Sequence, residues 1–365
     1  MKVLIVGAGP VGCYVARLLQ KSGKDFDVEV IEEHAEIGRP VHCAGLVSKE
    51  VLTKTRVPIS DDVVVNHIDG AEFFLNGDSF AIHRKGIAVV VERERFDRAL
   101  GSGVRVNFNT RFVGIEKENG GYIVETDKGE FYADIVIGAD GANSLVRKTA
   151  GLKEEIEYLR GVQFRIARKK NRKHMVGVFI KTPAFAWVIP ESEEVVRVGI
   201  ISHNPYHDLL DFLKEKSIDG TILEKFAGVV PLGRCETQKD NLALVGDAAC
   251  QVKPLTHGGV YYGMRCAEIL VDCIVQNKLC EYEKQWHAKF MREIKIGLNI
   301  RDIYENLNLE NLTRLFLFFK KNKYIIEKFG DFENHSKVFS AILRNPHLQT
   351  LLNKALNSII KDISI

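Results

Sequence analysis

The sequence predicts an α/β fold: a doubly wound parallel sheet, an antiparallel sheet inserted into it, and a helical region at the carboxyl end. Three observations carry this. A short apolar strand, Val3 to Val6, runs into the glycine-rich turn Gly7-Ala-Gly-Pro-Val-Gly12 and an apolar-faced helix. A long middle stretch holds strand-like segments not separated by helices. Further on, the short strand beginning at Asn241-Leu-Ala-Leu ends in Gly246-Asp247, and Gly258-Gly259 opens a helix-like run from Val260 to Val275.

Taken in order, the first helix extends through Leu19 and Asp27 to Glu32 is the next strand, so strand, helix and strand make a βαβ start. Ala71 to Leu75, Ala88 to Val91, Arg105 to Asn109, Phe112 to Glu116 and Tyr122 to Thr126 alternate or are β-branched, with Gly120-Gly121 as a hairpin turn. These five are expected to form antiparallel sheet. Phe131 to Ala139 is one further strand, ending in Asp140-Gly141. Several strands follow between Gly161 and Ile201, and the basic cluster Arg168 to His174 is expected as a solvated loop. Past residue 280 the chain becomes helical, with an apolar stripe at Leu312, Leu315, Phe316 and Phe319 beside Lys320, Lys321 and Lys323, read as a helix packed on its own domain. The expected domains are a discontinuous Rossmann-like one (residues 1–58, 86–158 and 230–285), an antiparallel sheet domain (59–85 and 159–229) and a C-terminal helical region (286–365).

At 365 residues the chain is long enough for two or three domains with real cores. With 45% hydrophobic and 27% charged residues it is neither disordered nor fibrous. A formal charge of +3 is too small to argue for nucleic acid, and it permits contact with an acidic membrane face without demanding it. The seven cysteines include no C-x-x-C pair and no zinc spacing, so reduced thiols in the cytoplasm and no metal are expected. The apolar run after Met1 is too short for a signal peptide, and no window approaches the roughly 20 apolar residues needed to span a bilayer.

Gly7, Gly9 and Gly12 stand at G-x-G-x-x-G spacing after a strand and at the mouth of a helix, the context that the dinucleotide fingerprint requires. Gly7 permits the tight turn, Gly9 lets a pyrophosphate approach, and Gly12 lets the helix pack on the strand. Glu32 ends the second strand, where a carboxylate accepts from an adenosine ribose hydroxyl. An adenine dinucleotide follows; FAD and NAD both remain open. The second glycine cluster asks for the same kind of ligand. Amides of Gly258 and Gly259 are unpaired donors at a helix start, where the dipole favours negative charge.

Two further segments bear on the choice. Arg93-Glu-Arg-Phe-Asp97 reads as an R-x-x-F-D that begins a helix, and Gly138-Ala-Asp-Gly-Ala-Asn-Ser-Leu-Val-Arg147 puts an Asp-Gly turn after a strand. With Gly7 to Gly12 and Gly246-Asp247, the chain resembles the FAD-dependent hydroxylase superfamily over most of residues 1 to 285. The resemblance implies FAD without a separate nicotinamide domain. It also implies that the helix from Arg93 lies against the cofactor, that Asp247 meets its ribityl and pyrophosphate region, and that Asp140-Gly141 lies near it.

Within that superfamily the chain is most similar to the geranylgeranyl reductase family, including the archaeal enzymes that saturate digeranylgeranylglycerophospholipids. Gly38-Arg-Pro-Val-His-Cys43-Ala-Gly45 is similar to the family's cysteine-bearing loop beside the flavin ring, and Thr256-His-Gly-Gly-Val-Tyr-Tyr262 to its helix opening. Phe185-Ala-Trp187-Val-Ile-Pro190 resembles its Y-x-W-x-F-P sheet motif, but Phe185 and Ile189 depart from it, and it is equally near the W-x-W-x-I-P of flavin-dependent halogenases. The resemblance adds Glu33, Arg39 and Ala44 to the cofactor contacts already named.

The amides of His257, Gly258 and Gly259 would stabilise the anionic N1 edge of a reduced flavin. Cys43 is either a proton donor or modulator at the ring, or a buried small hydrophobe. His257 either acts on a substrate as an orienting or protonating group, or only caps a turn. Of Tyr261, a catalytic candidate, and Tyr262, a candidate substrate contact, one is expected to face the flavin and the other the core. Phe185 and Trp187 share one strand face, as walls of an apolar substrate tunnel would and as core aromatics also would. The expected activity is FAD-dependent hydride transfer from flavin N5 to isolated double bonds of a polyprenyl lipid, which the resemblance implies is an archaeal-type membrane ether lipid. Ferredoxin or NAD(P)H would supply electrons, and the protein would sit peripherally on the inner face of the cell membrane. Two other readings stay open: an FAD-dependent monooxygenase or halogenase acting on an aromatic substrate, and a non-enzymatic flavin electron-transfer protein.

Overall fold

A computed structural model describes residues 1–168, 173–181, 185–346 and 348–350. They form two compact units: residues 1–63, 91–159 and 229–294, and residues 64–90, 160–228 and 295 onward.

The first unit is built on a six-stranded sheet in the order Gln238–Lys239, Leu242–Leu244, Ile135–Gly138, Lys2–Val6, Asp27–Ile31, Val106–Asn107. Only Gln238–Lys239 runs antiparallel to its neighbour. Lys2–Val6 and Ile135–Gly138 are buried along almost their whole length, the pattern of parallel strands covered on both faces. Lys2–Val6 has Asp27–Ile31 on one side and Ile135–Gly138 on the other, so the strand order reverses there. The carboxyl end of such a strand is where open α/β sheets bind ligands. Helix Pro10–Gln20 starts at that end, with Gly9 as an extended N-cap and Pro10 in the first turn, where a missing N–H is no loss.

Several strands depart from the expectation. Phe131 to Ala139 is two strands: Gly129–Ala133, in a three-stranded antiparallel sheet with Phe112–Glu118 and Gly121–Thr126, and Ile135–Gly138 in the parallel sheet. They part at Asp134, whose N–H donates to Lys2 O at 3.0 Å and whose carboxylate accepts the Lys2 N–H at 2.7 Å. Arg105 to Asn109 contributes only Val106–Asn107, and this strand lies parallel to Asp27–Ile31, because helix Arg93–Gly101 returns the chain to the start of the sheet. The hairpin after Phe112–Glu118 turns on Asn119 and Gly120 (φ +49° and +85°), the left-handed pair that two-residue hairpins favour.

The second unit has a sheet in the order Thr221–Cys235, Glu154–Ala167, Val195–Ile201, Phe185–Pro190, Met175–Ile180, Val64–Leu75, Asp78–Val91. It is not wholly antiparallel, since Met175–Ile180 runs parallel to Val64–Leu75. Alternate residues of one face, among them Phe164, Val198 and Ile200, pack on Leu209 and Phe212 of helix Pro205–Glu215. A second core joins Leu75 and Phe80 to Leu307, Leu312 and Phe316, with Leu315 and Phe319 against it. The apolar stripe of helix Leu309–Lys321 therefore packs within its own unit; each such buried side chain contributes roughly 1.5–3 kcal/mol. Asn308 caps that helix by accepting the Asn311 N–H at 2.9 Å. Expected to stand apart from residue 286, the C-terminal helices instead cluster with the second unit from Lys295, since this core needs them. Residues 169–172 of the basic cluster and 351–365 of the C-terminal region lie outside the described residues. Among the described residues no helix is long and apolar enough to cross a membrane, and no side-chain group is arranged to hold a metal ion.

Candidate functional site

The turn Gly7 to Gly12 occupies the point of strand reversal in the first unit. Gly7 N–H donates to Ile31 O at 2.9 Å and Ala139 N–H donates to Val6 O at 2.8 Å, so the turn is pinned between both neighbouring strands. At φ +102°, a Cβ on Gly7 would lie 2.5 Å from Ala139 O, and one on Gly12 would lie 2.1 Å from Gly7 O. Both positions are closed to any side chain. A Cβ on Gly9, by contrast, would meet nothing within 4 Å. Open backbone before a helix start is the cradle a pyrophosphate needs.

Glu32 is fixed at the rim of this cradle. Its Oε2 accepts the Ala8 N–H at 2.7 Å, its Oε1 accepts the His34 N–H at 3.0 Å, and His34 Nδ1 lies 2.6 Å from Oε1. A carboxylate has acceptor capacity beyond these contacts for a ribose hydroxyl. Glu33 and Arg39 are surface residues of the same unit, facing Arg111 at 3.3 Å and Glu94 at 2.8 Å respectively. Asp140 spends its carboxylate locally: Oδ1 accepts from Ser144 Oγ at 2.6 Å, and Oδ2 accepts the N–H groups of Leu145 and Val146 at 2.7 and 3.1 Å. Burial pushes its pKa up against the pull of these donors. What faces open space at that turn is Gly141, at φ +77° with nothing within 4 Å of a Cβ.

The second half of the site is the turn Gly246–Ala249 and the start of helix Val260–Val275. Asp247 Oδ1 would lie 2.3 Å from a Cβ on Gly259, so only glycine lets that carboxylate reach the helix start. Among the described residues, no backbone acceptor takes up the N–H of Gly258 or Gly259. Burial pushes the pKa of Asp247 up to about 6, with the charge of Arg93 pulling it back. Arg93 in turn makes a two-pronged pair with Asp97 (Nε to Oδ1 3.1 Å, Nη2 to Oδ2 2.9 Å) and lies near the Cys43 thiol. Burial raises the pKa of Asp97, and Arg93 counters it. Cys43 Sγ further accepts the Gly45 N–H at 3.4 Å, in the half-buried loop that also holds Ala44. One guanidinium thus pairs with Asp97 while its charge also acts on Asp247.

His257 adopts a left-handed conformation (φ +60°), and its N–H donates to Lys253 O at 2.9 Å. The two tyrosines divide: Tyr261 is half-buried, whereas Tyr262 is 1% exposed with its ring 4.8 Å from Phe290, on the core side of the helix. In the second unit, Phe185 and Trp187 do share a face, with ring centroids 6.0 Å apart. Trp187 lies over Gly199, where a Cβ would be 2.2 Å from the indole, and its Nε1–H donates to Gln163 Oε1 at 2.8 Å. In the sequence Asp97 stands only as the end of the R-x-x-F-D motif with no role of its own, although its four-residue spacing from Arg93 on a helix is a visible signal of their pairing. Lys253 gives no such signal, since before Pro254 in a loop it reads as solvated, but it is 3% exposed.

Residues 5–57 match the NAD(P)-binding Rossmann-like domain, and residues 90–208 match the FAD binding domain. The chain is 34% identical to an uncharacterized protein of Methanocaldococcus jannaschii, over 94% of this chain and 95% of that one. It is 31% identical to the digeranylgeranylglycerophospholipid reductase of Methanosarcina acetivorans, over 88% of this chain and 89% of the relative. In fold it is similar to a solved structure from Thermoplasma acidophilum described as geranylgeranyl bacteriochlorophyll reductase-like, with a TM-score of 0.82, 24% identity, and coverage of 97% of this chain and 98% of the other.

Proposed function

The chain belongs to the geranylgeranyl reductase family of FAD-dependent oxidoreductases, and from that premise we propose that it saturates isolated double bonds in the polyprenyl chains of membrane lipids. The observation that carries this reading is the presence within the first unit of the Cys43 thiol, of Arg93 paired with Asp97, and of Asp247 at the helix start beside the Gly258 and Gly259 amides. It puts a thiol, a fixed cation and a rim of backbone donors in one part of the first unit.

The residues present fit FAD: Gly9 and Gly141 leave open backbone, Glu32 offers a fixed acceptor, and Asp247 stands at a glycine-only helix start. When bound, FAD supplies the reducing equivalents, delivered as hydride from N5. The protein's own residues have the remaining tasks. Gly258 and Gly259 would offer N–H groups to the electron-rich edge of the ring, assisted by the dipole of helix Val260–Val275. Asp247 would accept from a ribityl hydroxyl. An isolated alkene offers no carbonyl to polarise, so a positioned proton and a dry channel matter more than an oxyanion site. Cys43 Sγ holds the proton for the second alkene carbon, and Arg93, locked by Asp97, orients that thiol. Tyr261 and His257 are the nearest alternative proton holders in sequence to the amide rim. Phe185 and Trp187, which share one strand face of the second unit, are the candidate contacts for the apolar chain. Ferredoxin or NAD(P)H is the electron donor, and peripheral contact with the membrane brings the lipid within reach.

The test is anaerobic incubation of the chemically reduced holoprotein with digeranylgeranylglycerophospholipid, followed by mass spectrometry of the lipid. Addition of one H2 per saturated bond without oxygen is expected. Turnover only with oxygen and an aromatic acceptor would instead assign a monooxygenase or halogenase. A reducible flavin that turns over no substrate would leave an electron-transfer protein.

A further inference from the structure

Lys253 is a buried lysine for which the reaction as described has no task. The residue is 3% exposed, between Val252 and Pro254, which are also buried. The segment that follows folds back on it: Lys253 N–H donates to Gly258 O at 3.2 Å, and Lys253 O accepts the His257 N–H at 2.9 Å. This closure lays the lysine stem under the glycine pair. A Cβ on Gly258 would be 3.0 Å from Lys253 Cε and 3.4 Å from Nζ, so the ammonium end rests against the Gly258 backbone. On the neighbouring residue, Asp247 Oδ1 occupies the space where a Gly259 Cβ would be. The two glycines therefore separate a full positive charge from a carboxylate, and both lie at the first turn of helix Val260–Val275.

We propose that Lys253 is the residue that sets the reduction potential of the bound flavin, by holding a positive charge behind the Gly258–Gly259 amides that meet the flavin's pyrimidine edge. The proposal rests on the reading above in which those amides contact that edge. Backbone donors and a helix dipole offer only partial charge. A side-chain ammonium adds a whole one, in a recess where low polarisability strengthens its field. Lys253 would thereby favour the state in which negative charge has been added to the ring, making FAD easier to reduce by a modest donor and the reduced cofactor a correspondingly milder hydride source.

The experiment uses holoprotein carrying Lys253→Met, Lys253→Gln or Lys253→Arg, with FAD content and circular dichroism as controls on folding. Two of these variants remove the charge but keep a stem of similar length, so either one that folds decides the matter. Sulfite affinity of the oxidised flavin and its midpoint potential are measured, neither of which needs a lipid substrate. Charge removal should weaken sulfite binding about tenfold and lower the potential by the same factor in the reduction equilibrium, about 30 mV for a two-electron couple. Lys253→Arg should stay within about twofold of the parent. Sulfite affinity and potential unchanged in the uncharged variants would overturn the proposal. So would a loss of FAD affinity at unchanged potential, which would place the ammonium on the pyrophosphate. Normal lipid reduction with a charge-independent potential would sink only the role of Lys253. A charge-dependent potential in a protein that reduces no lipid would sink only the reductase reading.

Discussion

Replacing Asp247 by Asn should make the FAD-free protein more stable at neutral pH, while weakening its hold on FAD. The carboxyl titrates at about 6 in the fold against 3.8 in a free side chain, raised by burial and moderated by Arg93. At 1.36 kcal/mol per pH unit, ionised Asp247 costs the native state about 3 kcal/mol. Set against a total stability of roughly 5–15 kcal/mol for a typical domain, that is a large fraction. The native state binds this proton more tightly than the unfolded chain does. The penalty is therefore absent below the unfolded value, builds as pH rises from about 4 to about 6, and is level above that. Urea unfolding of FAD-free parent and Asp247→Asn proteins at ~pH 7.5 and at ~pH 4 measures the difference. The variant should gain up to about 3 kcal/mol at the higher pH and little at the lower. Meanwhile FAD affinity should fall by about 10- to 100-fold, the worth of one hydrogen bond to a charged acceptor. A variant no more stable than the parent at the higher pH, or equally stabilised at both, would refute the assignment of Asp247 as a carboxylate strained by burial.

The glycine turn separates folding from binding. Gly9→Ala should leave the melting of the FAD-free protein within about 0.5 kcal/mol of the parent but cut FAD affinity at least about tenfold, because its Cβ enters open space where the cofactor passes. Gly12→Ala should fail to fold, since its Cβ would be 2.1 Å from Gly7 O; a melt and an FAD fluorescence titration on both variants distinguish the cases. Arg93→Met should cost about 3–5 kcal/mol by leaving buried Asp97 without its cation, and the double variant with Asp97→Leu should recover most of that in urea unfolding.

The Rossmann-like opening and the helix Val260–Val275 were legible because their signals are local: a glycine spacing, an apolar strand, a helical period. The strand identities were less so. Nothing in Phe131 to Ala139 marks the change of partner at Asp134, because a strand reads the same whichever sheet it joins. The parallel placement of Val106–Asn107 likewise depends on where helix Arg93–Gly101 delivers the chain.

By itself, the sequence determined the class of ligand, and it marked Gly7 and Gly12, where a Cβ would meet backbone, and Gly259, where it would meet the Asp247 carboxylate. It also determined that Arg93 and Asp97 fall on one side of a helix, four residues apart. Only the tertiary structure decided which charges lost their water. Closure of the segment from Lys253 to Gly258 turned a loop lysine into a buried one, the core of the first unit drew in Tyr262 and left Tyr261 half-buried, and the helix at Leu145 absorbed the carboxylate of Asp140. Solvation is a property of everything packed around a group, and residues distant in the chain supply that packing.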